Sequence, residues 1–198
     1  NKENNMNPPN LKELSQRIHE TNKAAGWWDI PRPRVQTAWL IVTELAEATE
    51  AERAGKYADL EAFESAKEEY KRYKDPDTTK HFKVAFKAHI KDTFEDEIAG
   101  AVIRLLDFAG SEGVEANYVN GLFKFDANED AFFFVSFSLI QELEEMKKGK
   151  GNYGHWIGRC LSVLRNLSRQ RGFDLWQHVE LKMKYNATRP KMHGGKKF

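Results

Sequence analysis

The sequence predicts an all-α protein, and three observations carry that prediction. Apolar residues recur at spacings of three and four, as in Leu11, Leu14 and Ile18 or in Ile98, Val102, Leu105 and Ala109, which is the period of a helix with one buried face. Strand-like alternation of apolar and polar residues is absent, and so is any internal repeat. The periodic segments are bounded by helix punctuation, with Asn or Asp before them and Gly or Pro after them. At 198 residues, 40% hydrophobic and 31% charged, the chain is globular rather than disordered and fits a single domain with a sizeable core.

The elements follow in order. Asn10 with Glu13 reads as an N-cap and capping-box partner after Pro8-Pro9, and starts a helix from about Leu11 to Lys23. Gly26 and two prolines make 25–34 a structured connection. A second helix runs from about Val35 to Ala54 and stops at Gly55. The charged stretch to Tyr73 extends as a helical arm, and Lys74–Thr79 is a turn by composition and the most flexible region expected. A third helix spans about Phe82 to Ala109, ended by Gly110 and Gly113. Ala131–Lys148 reads as a buried helix rather than a strand because of its length and its charged continuation. After Gly149–Gly154, a helix from about His155 to Arg171 carries Ile157, Leu161, Leu164 and Leu167 and stops at Gly172. Asp174 with Gln177 caps a last helix, Leu175 to about Thr188, closed by Pro190.

Composition excludes several classes of function. No apolar run approaches the roughly 18 residues that span a bilayer, so no membrane association is expected. A formal net charge of +1 argues against stable nucleic-acid binding. The polar N-terminus lacks the apolar core of a secretory signal, and the single Cys160 leaves no internal disulfide to form; a reducing, cytoplasmic setting is expected. No Glu precedes any His by three positions, which removes a ferritin-like di-iron bundle.

The residues that point to chemistry are acids in apolar helices. Glu44 and Glu47 lie three apart among Leu40, Ile41, Val42, Leu45, Ala46 and Ala48, so their carboxylates share one helical face, with Cβ atoms roughly 5–6 Å apart. About fifty residues later, Glu95, Asp96 and Glu97 precede the apolar run Ile98–Leu106. Two helices offering carboxylates to one point suit a hard divalent cation such as Mg²⁺. The competing reading is an ordinary solvated face carrying Glu44, Glu47 and Glu50.

Four stretches carry a family resemblance: His19-Glu20-Thr21-Asn22 with Gly26-Trp27-Trp28-Asp29, the Glu-x-x-Glu helix at Glu44, the helix Glu95–Asp107, and Lys182–Pro190. In this order they resemble the MazG-like nucleoside triphosphate pyrophosphohydrolases, over roughly residues 10–56, 90–110 and 175–198. The resemblance implies one all-α, MazG-like bundle over 1–198, with a core of 10–56, 82–110 and 174–198 and additional helices in 111–172 inserted before the last helix. It also implies hydrolysis of a nucleoside triphosphate to the monophosphate and pyrophosphate with Mg²⁺-activated water, in a homodimer or higher homo-oligomer. Glu44, Glu47 and Glu97 match the acids of the two family motifs, as catalytic residues and metal ligands. The Asp of the second motif falls on Gly100, which cannot ligate a metal. Asp96, four residues earlier and near the same face, is the preferred substitute over Asp107, about 10 Å along the axis.

Lys182, Asn186 and Arg189, at helical spacing in a C-terminal segment with six Lys or Arg and no acid, match a phosphate-binding set. The alternative is a basic helix end favoured by the macrodipole, with a loose tail. Trp27 and Trp28 are candidates for the wall of a nucleobase pocket, with Asn22 or Asp29 reading a base edge, or else pin the connection to the core. His81, His89, His155 and His178 read as surface or satisfied interior residues, and Cys160 as an inert core thiol. The runner-up function, raised by Gly100, is a catalytically weakened nucleotide-binding or regulatory module on the same fold. A purely structural bundle leaves the ordered motifs unexplained.

Overall fold

The computed structural model describes residues 9–72, 77–119, 130–147 and 153–195. These form α1 (Leu11–Ala24), α2 (Arg34–Arg53), α3 (Leu60–Arg72), α4 (Thr78–His89), α5 (Phe94–Glu112), α6 (Asp130–Lys147), α7 (Tyr153–Arg171), α8 (Leu175–Ala187) and α9, a single irregular turn (Met192–Gly195). The fold is all-α, with no strand among the described residues. None of the described helices is long and apolar enough to cross a membrane.

Helix α5 is the axis of the assembly. It packs against α1, α2, α7 and α8, and its Ile98, Val102, Leu105 and Leu106 are completely buried. Burying each such side chain contributes about 1.5–3 kcal/mol relative to exposure, before the entropy of ordering it. Helix α2 supplies Ile41, Leu45 and Ala48 to the same core, while α6 and α7 pack on each other and close it from α2 and α5. Helices α3 and α4 form a hairpin with its own apolar cluster: Phe63, Phe82, Phe86 and Ile90 meet Tyr185 of α8, whose ring stacks on Phe86 at 4.4 Å.

The caps read in the sequence are present. Asn10 accepts from the Lys12 and Glu13 amides at 3.1 and 3.3 Å and donates to the Glu13 carboxylate at 2.8 Å. Asp174 accepts from the Trp176 and Gln177 amides at 3.0 and 3.2 Å. Three expectations are corrected. The charged stretch after Gly55 is helical as α3, but it folds back on α4 through Phe63 rather than standing off as an arm. The helix expected from Phe82 to Ala109 is two helices, α4 starting earlier at Thr78 behind its Asp77 cap. The break falls at 90–93: Asp92 is left-handed (φ 58°), and Thr93 caps α5 by accepting from the Asp96 amide. Gly110 does not end α5, which continues to Glu112 and closes on left-handed Gly113. A Cβ at Gly110 would lie 2.6 Å from His19 Cβ, so its lack of a side chain sets the close approach of α1. The core of the expected turn at 74–76 lies outside the described residues.

Candidate functional site

One face of α5, one face of α2 and the C-terminal half of α8 enclose a cleft of about 1080 Å³. Glu44 and Glu47 come from α2, Asp96 and Glu97 from the first turn of α5, and Lys182 from α8. Thr93 fixes where α5 begins, and so aims Asp96 and Glu97 together. Glu44, Asp96 and Glu97 are buried, whereas Glu47 is exposed at the rim. A wholly solvated acidic face is therefore ruled out for Glu44 but describes Glu50.

Ligand oxygens of Glu44, Glu47 and Glu97 lie within 4.8 Å of one another, and so do those of Asp92, Asp96 and Glu97. The two sets share Glu97. Asp96, the expected substitute for an acid at 100, thus groups with Asp92 rather than with Glu44 and Glu47.

A cation of the chain itself enters this cluster. The Lys182 ammonium donates to Glu97 Oε2 at 2.9 Å and to the Asp96 carbonyl at 2.8 Å, and reaches Asp96 Oδ2 at 3.4 Å and Glu44 Oε2 at 3.5 Å. Arg104 Nε donates to Glu44 Oε1 at 2.6 Å. Gly100 makes room for these pairs. An ideal Cβ there would lie 1.9 Å from Glu44 Oε2 and 2.9 Å from Lys182 Nζ.

Electrostatics follow from this packing. Burial opposes the charge on Glu44, but Lys182 and Arg104 outweigh it and hold the carboxyl below the usual range. Burial raises Asp96, and lifts Glu97 to about 8 with help from Asp96 and Glu44, because Lys182 alone does not compensate. Burial also opposes the Lys182 charge, yet Asp96, Glu44 and Glu97 together raise its pKa, so it is cationic. Three buried carboxylates share one ammonium and the guanidinium on Glu44. Asp96 Oδ1 is buried without a hydrogen-bond partner among the described residues. Positive charge is therefore in deficit, and the donors are all carboxylates. Such a set fits a hard divalent cation, which takes oxygen ligands.

Of the remaining sequence candidates, Asn186, Arg189 and Trp27 line the cleft with Lys182, alongside Asn22, Arg32 and His193. Trp28 points elsewhere. Its indole N–H donates to Asp107 at 3.0 Å, Asp107 also meets His19 Nδ1 at 2.8 Å, and the His19 and Trp28 rings meet edge-on at 5.0 Å. Trp28 thereby ties the 25–34 connection to α5. Asp29 pairs with Lys191 at 2.8 Å and does not line the cleft. The tail after α8 is docked: the Met192 amide donates to Ala25 O at 2.9 Å, and His193 packs edge-on to Trp27 at 4.9 Å. Cys160 is fully buried and burial pushes its thiol up, as befits an inert core residue.

Sequence reasoning missed Arg104. Its signal was available: seven residues after Glu97 it interrupts an apolar run on the face of Glu97 and Gly100. It also missed the pairing of Lys182 with the acids, which depends on how α8 crosses α5 and leaves no local signature.

No known family model matches the chain, and neither the curated proteins nor the solved structures contain a significant match.

Proposed function

We propose that the cleft binds a nucleoside triphosphate and hydrolyses it to the monophosphate and pyrophosphate, as a Mg²⁺-dependent pyrophosphohydrolase of MazG-like type. One observation carries the reading: carboxylates from two facing helices, Glu44, Glu47 and Glu97, converge within 4.8 Å in a cleft that is also lined by Arg104, Asn186 and Arg189. Acids gathered beside basic and amide donors suit a polyphosphate bound through a cation. Mg²⁺ held by Glu44, Glu47 and Glu97 would neutralise phosphate charge and acidify a bound water. Arg189 offers a planar fork and Asn186 an amide for phosphate oxygens, while Trp27 presents an aromatic wall to a base. Arg104 restrains the Glu44 carboxylate, so that Glu44 keeps one orientation.

The test is pyrophosphate release from a panel of standard and modified nucleoside triphosphates with Mg²⁺, expected for wild type and abolished in Glu44→Gln and Glu97→Gln. A second reading, a nucleotide-binding or regulatory module without turnover, draws on Gly100 and on the ammonium already set among the acids. Folded protein that binds nucleotide and releases no pyrophosphate would decide for it.

The reading includes a homodimer or higher homo-oligomer. Large apolar side chains left exposed on α2 (Val35, Trp39) and α6 (Phe134, Phe137) support self-association. Sedimentation velocity would test it, and a monomer at all concentrations would refute it. The absence of a spanning helix among the described residues is compatible with the proposed cytoplasmic setting.

A further inference from the structure

We infer that the Lys182 ammonium serves as a resident cation of the acid cluster, occupying the Asp92–Asp96–Glu97 group so that the cleft takes one divalent ion, at Glu44, Glu47 and Glu97, rather than two. This rests on the proposed metal-dependent reading and sharpens it.

Three observations on separate elements converge. The two carboxylate groups share Glu97, and Lys182 touches both, reaching Asp96 of one and Glu44 of the other; only in the Asp92–Asp96–Glu97 group, however, does every acid meet a lysine. In the Asp92–Asp96–Glu97 group, Lys182 bonds Glu97 at 2.9 Å and reaches Asp96 at 3.4 Å, while Lys91 bonds Asp92 and Lys56 approaches it at 3.9 Å. In the other group Arg104 at 2.6 Å and Lys182 at 3.5 Å hold Glu44, but Glu47 at the rim makes no ion pair among the described residues and leaves an open approach from the cleft. Gly100 accounts for how the lysine gets in. A Cβ there would sit 1.9 Å from Glu44 Oε2 and 2.9 Å from Lys182 Nζ. A carboxylate side chain at 100 and the present Glu44–Lys182 arrangement therefore exclude each other on space alone. With no side chain at 100, an ammonium on α8 lies among these acids and neutralises them where a second divalent ion would otherwise do so.

The experiment counts metal directly, without turnover. Mn²⁺ alone, titrated into the full chain, is followed by calorimetry and by electron paramagnetic resonance. The wild type is expected to bind one Mn²⁺ per chain with an uncoupled six-line spectrum. Lys182→Met is expected to bind two, with the broadening of a neighbouring pair, and to gain more thermal stability from Mn²⁺ than wild type does; Lys182→Arg keeps the count at one. Two coupled ions in wild type, or one ion in both wild type and Lys182→Met, would overturn the inference while leaving the metal-dependent function standing. No Mn²⁺ binding by either protein would overturn that function itself. If Lys182→Met does not fold, the wild-type count of one against two still decides.

Discussion

Replacing Gly100 by Ala is the sharpest probe of how this site is packed. Glycine within a helix costs about 0.8–1.0 kcal/mol relative to alanine, so propensity alone predicts stabilisation. The structure predicts the reverse. The new methyl carbon would lie 1.9 Å from Glu44 Oε2 and 2.8 Å from Glu44 Cδ, far inside van der Waals contact. Glu44 is the far end of a flexible side chain, but it is buried and held by Arg104 at 2.6 Å and by Lys182 at 3.5 Å. Moving it weakens both pairs and strains the packing, and overpacking a filled site costs typically about 1–3 kcal/mol. Against the propensity gain, the net expectation is a loss of about 1 kcal/mol, or a fall in Tm of about 2–4 °C for a chain of this size. Calorimetric unfolding in metal-free buffer measures it. A variant more stable than wild type by the full helix-propensity difference would show that Glu44 and Lys182 do not fill the space beside residue 100.

Three further outcomes are expected. Burial without a partner on Nδ1 pulls the His178 pKa from 6.5 to about 4, against a small opposing effect of Asp174. The folded value is below the unfolded one, so the unfolded chain binds the extra proton first. Stability should then fall as pH drops from about 6.5 to 4, by about 3 kcal/mol at most, and His178→Leu should lose that part of the acid sensitivity in denaturant titrations at pH 7 and pH 4.5. Trp28→Phe removes the indole donor to buried Asp107 and should cost about 1–3 kcal/mol in chemical unfolding while leaving nucleotide affinity nearly unchanged; a large affinity loss with no stability loss would instead place Trp28 in the base pocket. Arg104→Met should lower thermal stability and weaken pyrophosphate release together, because Glu44 loses its only guanidinium partner among the described residues; unchanged activity would remove Arg104 from the site.

Much of the fold was legible because its signals are local. Asn10, Asp174 and Gly172 mark helix ends through backbone hydrogen bonding and φ, which depend on a few neighbours. The division of α4 from α5 was harder to see, since the apolar period runs on across 90–93. The left-handed Asp92 and the Thr93 cap override it: Thr93 accepts from the Asp96 amide, and the Asp96 carboxylate accepts from the Asp92 amide. For the site, the apolar neighbours of Glu44 and Glu47 point both acids toward the interior; Glu44 is buried, but burial is a property of packing, and Glu47 on the same helix is exposed. Ownership of charges across helices was beyond reach: that Lys182 meets Glu97 and Arg104 meets Glu44 follows from how α8 and α2 cross α5. Gly100 illustrates both limits. It reads as a missing ligand in sequence, and in three dimensions as the space that admits an ammonium.

The most direct test of the proposed activity is ³¹P nuclear magnetic resonance of a nucleoside triphosphate mixture incubated with the protein and Mg²⁺. Pyrophosphate and nucleoside monophosphate are expected to grow in equal amounts, with no signal change for Glu97→Gln. Release of orthophosphate with nucleoside diphosphate, or an unchanged spectrum from folded wild-type protein across the whole panel, would contradict that activity.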